Sequence, residues 1–135
     1  MLLEYVLLGA LQVTSYRSLE RQTDSTPFIT SIGEHVHPHG VAVSEDMLCP
    51  LSKGKTKLHK RGQAKGCKLD KLHYKDFIYV PGYGLKVIND VMHPRHRKAV
   101  DLWVRTYDEE KKVGTRRLTV YLIKDLYAHI HERPL

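Results

Sequence analysis

Six short segments rich in valine, isoleucine, tyrosine and leucine most restrict what this 135-residue chain can fold into. They are Ala10–Tyr16, Gly40–Ser44, Asp76–Val80, Leu85–Asp90, Val100–Arg105 and Arg117–Ile123. These residue types favour extended backbone, and each segment is bounded by glycine, proline or clustered charge. The pattern therefore predicts six strands.

A single short helix is predicted between Thr106 and Gly114. Thr106 is a residue type that caps helix N-termini, acids and then lysines follow it, and Gly114 suits a helix end. Strands with one or two short helices predict an all-β class and a small closed barrel. A simple hairpin meander is less favoured, because the connections at 17–39 and 49–75 are long and irregular.

Length and composition predict one domain, spanning residues 1–135, with a single core. No apolar run approaches the ~18 residues that a transmembrane helix needs. The start of the chain also lacks the basic stretch and the long apolar run of a secretory signal. We therefore expect no membrane partner and no signal peptide.

Positive charge is concentrated in one part of the chain. Residues 51–75 hold nine basic side chains and one acid, whereas the other residues hold 13 basic and 14 acidic side chains. Such a segment would attract a cell-wall polymer or a nucleic acid, and it could equally be a solvated loop. Aromatic residues are nearly absent from 51–73, so base stacking is unsupported and no nucleic-acid partner is expected.

The cysteines and histidines leave several roles open. Cys49 and Cys67 allow a single disulfide, two free thiols or part of a metal site. Histidines at 35–39 and 129–131 have spacings that metal ligands can have. No zinc-finger or HEXXH pattern accompanies them, so we expect neither a metal nor a cofactor.

Two aspartates belong to consecutive predicted strands. Alternation along the fifth segment directs its aliphatic side chains to the core and places Asp101 on the opposite face, with Trp103 and Arg105. In the fourth segment, Ile88 and Asp90 share a face. The two carboxyl groups could meet in one cleft, or one could cap a turn while the other pairs with a surface arginine.

Several motifs follow one another in a recognisable order. They are Thr23-Asp24-Ser25-Thr26-Pro27-Phe28-Ile29-Thr30-Ser31-Ile32-Gly33, Gly40-Val41-Ala42-Val43-Ser44, Asp76–Gly84, Asn89-Asp90, Val100-Asp101-Leu102-Trp103 and Gly114–Leu122. In this order they resemble 3D (three-aspartate) domains over about residues 12–123. The basic segment at about 49–75 looks like an insertion loop, and the residues after Asp90 resemble phage-type members.

The resemblance implies a six-stranded double-psi β-barrel, as in lytic transglycosylase A and stationary-phase muralytic proteins. It also implies a muralytic lyase that cleaves the glycan strands of bacterial peptidoglycan. Such a protein would act in the cell envelope, as an endolysin or a virion-associated protein of a bacteriophage would. We expect glycan strands as its partner and a monomeric protein.

The resemblance also assigns roles to residues. Asp101 is the expected acid and base: it protonates the glycosidic oxygen, then takes the proton of the sugar C6 hydroxyl, which leaves a 1,6-anhydro end. Asp90 is the second expected catalytic residue: it would raise the pKa of Asp101 or stabilise positive charge on the sugar ring. Burial beside Trp103 would also raise the pKa of Asp101, as a proton donor requires, whereas Arg105 would oppose the rise. The expected substrate-binding residues are Asp24, Thr30, Ser44 and Trp103.

Ser44 stands where the family has its third aspartate. Two alternative functions are therefore considered in addition to the enzyme. The same barrel could bind cell-wall glycan without cutting it, or it could form a structural part of a virion.

Overall fold

The computed structural model describes residues 4–18, 28–49 and 71–124. The strands are β1 (Glu4–Tyr16), β2 (Gly40–Val43), β3 (Phe77–Val80), β4 (Gly84–Val91), β5 (Ala99–Trp103) and β6 (Arg116–Lys124). A 3-10 turn (Glu45–Met47) follows β2, and helix α1 (Tyr107–Val113) connects β5 to β6. The six predicted strands and the helix are confirmed, although β1 begins at Glu4 rather than Ala10.

The strands close into a mixed barrel in the order β1-β5-β2-β4-β3-β6. β1 runs parallel to β5 and β2 runs parallel to β4, while the other four pairs are antiparallel. Exchanging the first three strands for the last three leaves every pairing and its direction unchanged. The predicted closed six-stranded all-β barrel is confirmed, and its pairings have the twofold pseudosymmetry expected of a double-psi barrel.

The core consists of aliphatic side chains that alternate with outward-facing residues along the strands. Its members from the strands are Leu11, Val13, Val41, Val43, Ile78, Val80, Ile88, Val100, Leu102 and Val120. Each is almost or fully removed from solvent. Burying a side chain of this size stabilises the fold by about 1.5–3 kcal/mol, so this interior holds the barrel together.

Helix α1 lies against the end of the barrel at which β5 ends. The Thr106 hydroxyl accepts a hydrogen bond from the Glu109 N–H at 3.1 Å, which caps the helix as predicted. Val113 joins the core, and the helix ends at Gly114, whose φ of 56° favours glycine. In the described part of the chain, no helix is long and apolar enough to span a membrane.

Cys49 is buried and disulfide-bonded, which excludes a free thiol at this position. The Cys49 N–H donates to the Leu72 carbonyl, and the Leu72 N–H donates to the Met47 carbonyl. These bonds hold the two ends of the 50–70 stretch together. Cys67, Asp24, the histidines at 129–131 and most of the basic segment lie outside the described residues.

Candidate active site

A row of paired residues crosses the outer face of β1, β5, β2 and β4. Thr14 pairs with Asp101, Asp101 pairs with Ala42, and Ala42 pairs with Asp90. Directly paired residues on neighbouring strands point to the same side of a sheet. Two strand spacings separate the backbones of Asp101 and Asp90, which is about 10 Å, so both carboxyl groups can face one small ligand.

The pairing pattern relates β2 to β5 and β1 to β4, and Ala42 of β2 pairs directly with Asp101 of β5. In this pattern Ala42 and Asp101 occupy equivalent positions, and Asp90 is the counterpart of Thr14. Equivalent positions in the pairing pattern therefore carry different side chains. Both carboxyl groups of the row come from the second half of the barrel, from β4 and β5, whereas the first half supplies Thr14 and Ala42.

A β-bulge in β4 directs Asp90 to this face. The consecutive residues Val41 and Ala42 pair with Ile88 and Asp90, so Asn89 is an extra residue in β4. Ile88 is in the core whereas Asp90 is partly exposed. The prediction that Ile88 and Asp90 share a face is therefore wrong, because the bulge interrupts the alternation, as bulges near active sites often do.

Gly40 leaves the space that Asn89 occupies. A Cβ atom at position 40 would lie 2.5 Å from Asn89 Nδ2, and both residues are buried. We expect Gly40→Ala to displace Asn89 and to lower the free energy of unfolding by about 1–3 kcal/mol, the usual cost of overpacking. Urea denaturation measures this loss.

The double variant Gly40→Ala/Asn89→Ala is the control for this clash, because it removes the side-chain atoms that the new methyl group meets. In a double-mutant cycle the two changes should be less destabilising together than the sum of the single changes. Additive losses would contradict a steric conflict between positions 40 and 89.

The carboxyl group of Asp101 is partly buried on the outer face of β5. Burial raises the pKa of Asp101 to about 6, and the negative charges of Asp90 and Glu110 act in the same direction. A hydrogen bond of 2.8 Å from Thr14 Oγ1 to Asp101 Oδ1 opposes the rise. The direction and two causes agree with the sequence prediction, and a carboxyl group with this pKa can donate a proton near pH 6.

Tyr16 interacts with both acids. Its hydroxyl donates to Asp90 Oδ2 at 3.3 Å, while Asp90 Oδ1 accepts a hydrogen bond from the Ser31 N–H at 3.0 Å. Burial, and then the charges of Asp90 and Asp101, raise the pKa of Tyr16. The phenol therefore stays protonated and serves as a hydrogen-bond donor to Asp90.

Thr14, Tyr16 and Ser31 are site residues that the sequence analysis missed. Thr14 and Tyr16 share one face of β1 by simple alternation, which is a visible signal. Their place beside the acids depends on the parallel pairing of β1 with β5, which joins distant parts of the chain.

Trp103 and Thr30 lie next to this group. Trp103 follows Asp101 by two residues on the same face of β5, and its Nε1–H donates to Ser18 Oγ at 2.8 Å. Thr30 is buried directly before Ser31, and its hydroxyl accepts a hydrogen bond from a backbone N–H within the same turn. The structure thus brings two of the predicted binding residues close to the carboxyl groups.

Ser44 lies elsewhere. It is fully buried, and its hydroxyl accepts a hydrogen bond from the Ala99 N–H at 3.1 Å. The Ser44 N–H in turn donates to the Ala99 carbonyl. These bonds join the end of β2 to the start of β5, so Ser44 supports the strands that carry the site and is removed from the surface that a sugar could reach.

The histidines of the described ranges form no cluster of three ligating side chains. The rings of His37 and His39 are 6.3 Å apart. Over residues 4–18, 28–49 and 71–124, no three side chains of histidine, cysteine, aspartate or glutamate are placed to hold one metal ion.

A scan against protein-family models and a search of curated proteins each find no match for this chain. What bears on function is therefore the geometry of the site. Two carboxyl groups share one face of the barrel, and one of them has a strongly raised pKa.

Proposed function

We propose that this protein is a lytic transglycosylase of the 3D-domain type that cleaves the glycan strands of bacterial peptidoglycan. The observation that carries the proposal is the environment of Asp101, whose partly buried carboxyl group has a pKa of about 6. Asp90 lies on the same face, two strands away. Cleavage of a glycosidic bond needs a proton donor near neutral pH, commonly beside a second carboxylate.

The reaction uses Asp101 twice. Its proton passes to the glycosidic oxygen as the bond from C1 to that oxygen breaks. The Asp101 carboxylate then takes the proton of the C6 hydroxyl group, and the C6 oxygen bonds to C1. The product is a 1,6-anhydro sugar, no water is consumed, and Asp101 is protonated again at the end.

The neighbours of Asp101 fit this cycle. An ionised Asp90 stabilises the positive charge that develops on the sugar ring, and Tyr16 holds that carboxylate in place. The hydrogen bond from Thr14 orients the Asp101 carboxyl group. Trp103 offers an aromatic surface two residues further along β5, where it can contact the next sugar.

The substrate lies in the bacterial cell envelope, and the protein would act there. The phage-type resemblance fits a lysis or virion-associated protein. The alternative is a non-catalytic glycan-binding module on the same barrel. The following experiment distinguishes this alternative from the enzyme.

Digestion of purified sacculi in water enriched in oxygen-18 tests the proposal. We expect soluble muropeptides with 1,6-anhydro ends and no added oxygen-18, as read by mass spectrometry. Reducing ends that carry oxygen-18 would indicate a hydrolase instead. Retention of the protein on sacculi without any released product would indicate a binding module.

A further inference from the structure

A cavity of about 360 Å³ opens at the barrel end where β5 ends and β4 begins. Leu102 and Val113, which line it, belong to the buried core, and Tyr83 packs against the same core. Trp103 also lines the cavity, two residues after Asp101 on β5. The cavity therefore adjoins the candidate active site and has an apolar floor.

Positive charge dominates the polar part of this cavity. Lys86, Arg105 and Lys112 line it together with one acid, Glu109. Glu109 Oε1 already accepts a hydrogen bond from the Thr106 hydroxyl at 3.0 Å. Within the described residues, no ion pair joins the three cations to an acid. The cavity therefore has cationic groups that an anion could pair with.

Lys86 is the most unusual of these cations. It pairs with the fully buried Ile78, so its side chain lies on the core-facing side of β4. Its Nζ donates to the Pro38 carbonyl at 2.7 Å, and burial lowers the pKa of Lys86. Lys86 is partly buried, and the group that its Nζ contacts is a neutral carbonyl, which uses one of its three N–H donors. A bound carboxylate would supply the missing partner.

We propose that this cavity binds a carboxylate of a short acidic peptide, namely the stem peptide attached to the glycan strand. This inference rests on the proposed function. A stem peptide carries free carboxyl groups and alanine methyl groups, which match the three cations and the apolar floor. Two residues along a strand span about 7 Å, so a peptide that branches from a sugar at Asp101 can reach the cavity beside Trp103.

Binding of the dipeptide L-Ala-γ-D-Glu to the full chain tests this inference. The indole N–H resonance of Trp103, the only tryptophan, reports the titration by NMR. At 150 mM salt, which screens long-range attraction, we expect the dipeptide to bind at least about tenfold more tightly than its diamide. Equal binding of the two compounds, or no binding of the dipeptide, would overturn the proposal.

Two neighbouring lysines of α1 provide a matched pair of variants. Lys112→Glu places the charge reversal in the cavity and should weaken binding about tenfold or more. Lys111→Glu makes the same change outside it, where Nζ lies 5.5 Å from the centre of the Tyr107 ring, and should alter binding less than twofold. Equal weakening by both variants would show general charge attraction and would overturn the proposal.

The Asp101→Asn variant separates this inference from the proposed function. It should bind the dipeptide as tightly as the parent, because the cavity lining is unchanged. Selective dipeptide binding without any cleavage of sacculi by the parent would refute the transglycosylase and leave the carboxylate site. Cleavage without dipeptide binding would refute the site and leave the enzyme.

Discussion

Replacement of Asp101 by asparagine is expected to slow glycan cleavage by several orders of magnitude. Asparagine has nearly the same shape and can still accept the hydrogen bond from Thr14. It can neither give a proton to the glycosidic oxygen nor take one from the C6 hydroxyl group. The rate of release of anhydro-muropeptides from sacculi should therefore fall by about a hundredfold to ten-thousandfold.

The same substitution is expected to stabilise the fold at pH 8. Because burial raises the pKa of Asp101 from 3.8 to about 6, the folded state favours the protonated carboxyl group more than the unfolded state does. The favourable contribution is complete below pH ~4 and is lost as the pH rises through about 6. At pH 8 the ionised Asp101 lowers the free energy of unfolding by up to about 3 kcal/mol.

Urea denaturation of the parent and of Asp101→Asn at pH 4 and pH 8 measures this difference. The variant should be more stable than the parent only at pH 8. At that pH the parent has an ionised Asp101, whereas the asparagine of the variant is neutral. Asp108→Asn is the control: it removes an exposed acid from the first turn of α1 and should leave cleavage unchanged. An Asp101→Asn protein that cleaves within about tenfold of the parental rate, or that is less stable than the parent at pH 8, would contradict the assigned role.

The strands and α1 were predictable because their signals are local. Between β3 and β4, for example, Gly82 lies in the turn and Gly84 begins β4, with φ values of 88° and 92° that glycine readily adopts. Likewise Thr106 and Gly114 mark the two ends of α1. Such elements depend on residues a few positions apart, so a single sequence contains the needed information.

The site was predictable only in part, because it depends on pairings between distant segments. The face of Asp101 follows from alternation within β5, and this prediction holds. The face of Asp90 follows from the extra residue Asn89, and a bulge has no reliable signal in one sequence. Tyr16 reaches Asp90 only because β1 and β5 run side by side, which closure of the barrel decides.

The largest loss of stability is expected from Ile78→Ala. Ile78 lies fully buried in β3 and pairs with Leu122 of β6 and with Lys86 of β4, so it packs where β3 closes the barrel. Removal of a buried isoleucine side chain typically costs about 2–5 kcal/mol, which is a large share of the 5–15 kcal/mol of a whole domain. Leu85→Ala, at a neighbouring exposed position, is the control and should cost less than about 1 kcal/mol in urea denaturation.

The Ile78→Ala variant also tests whether catalysis depends on the packing that stabilises the barrel. In the closed order of strands, β3 lies three places from β5 in either direction, so it is opposite the strand that carries Asp101. The Ile78→Ala protein should therefore lose folded material on warming but keep the parental cleavage rate per folded molecule at low temperature. Equal losses for Ile78→Ala and Leu85→Ala would contradict the assigned core. A fall in the rate per folded molecule would show that the site depends on packing across the whole barrel. The contacts of the two acids argue against this outcome, because they are local: Asp101 bonds to Thr14, and Asp90 bonds to Tyr16 and Ser31.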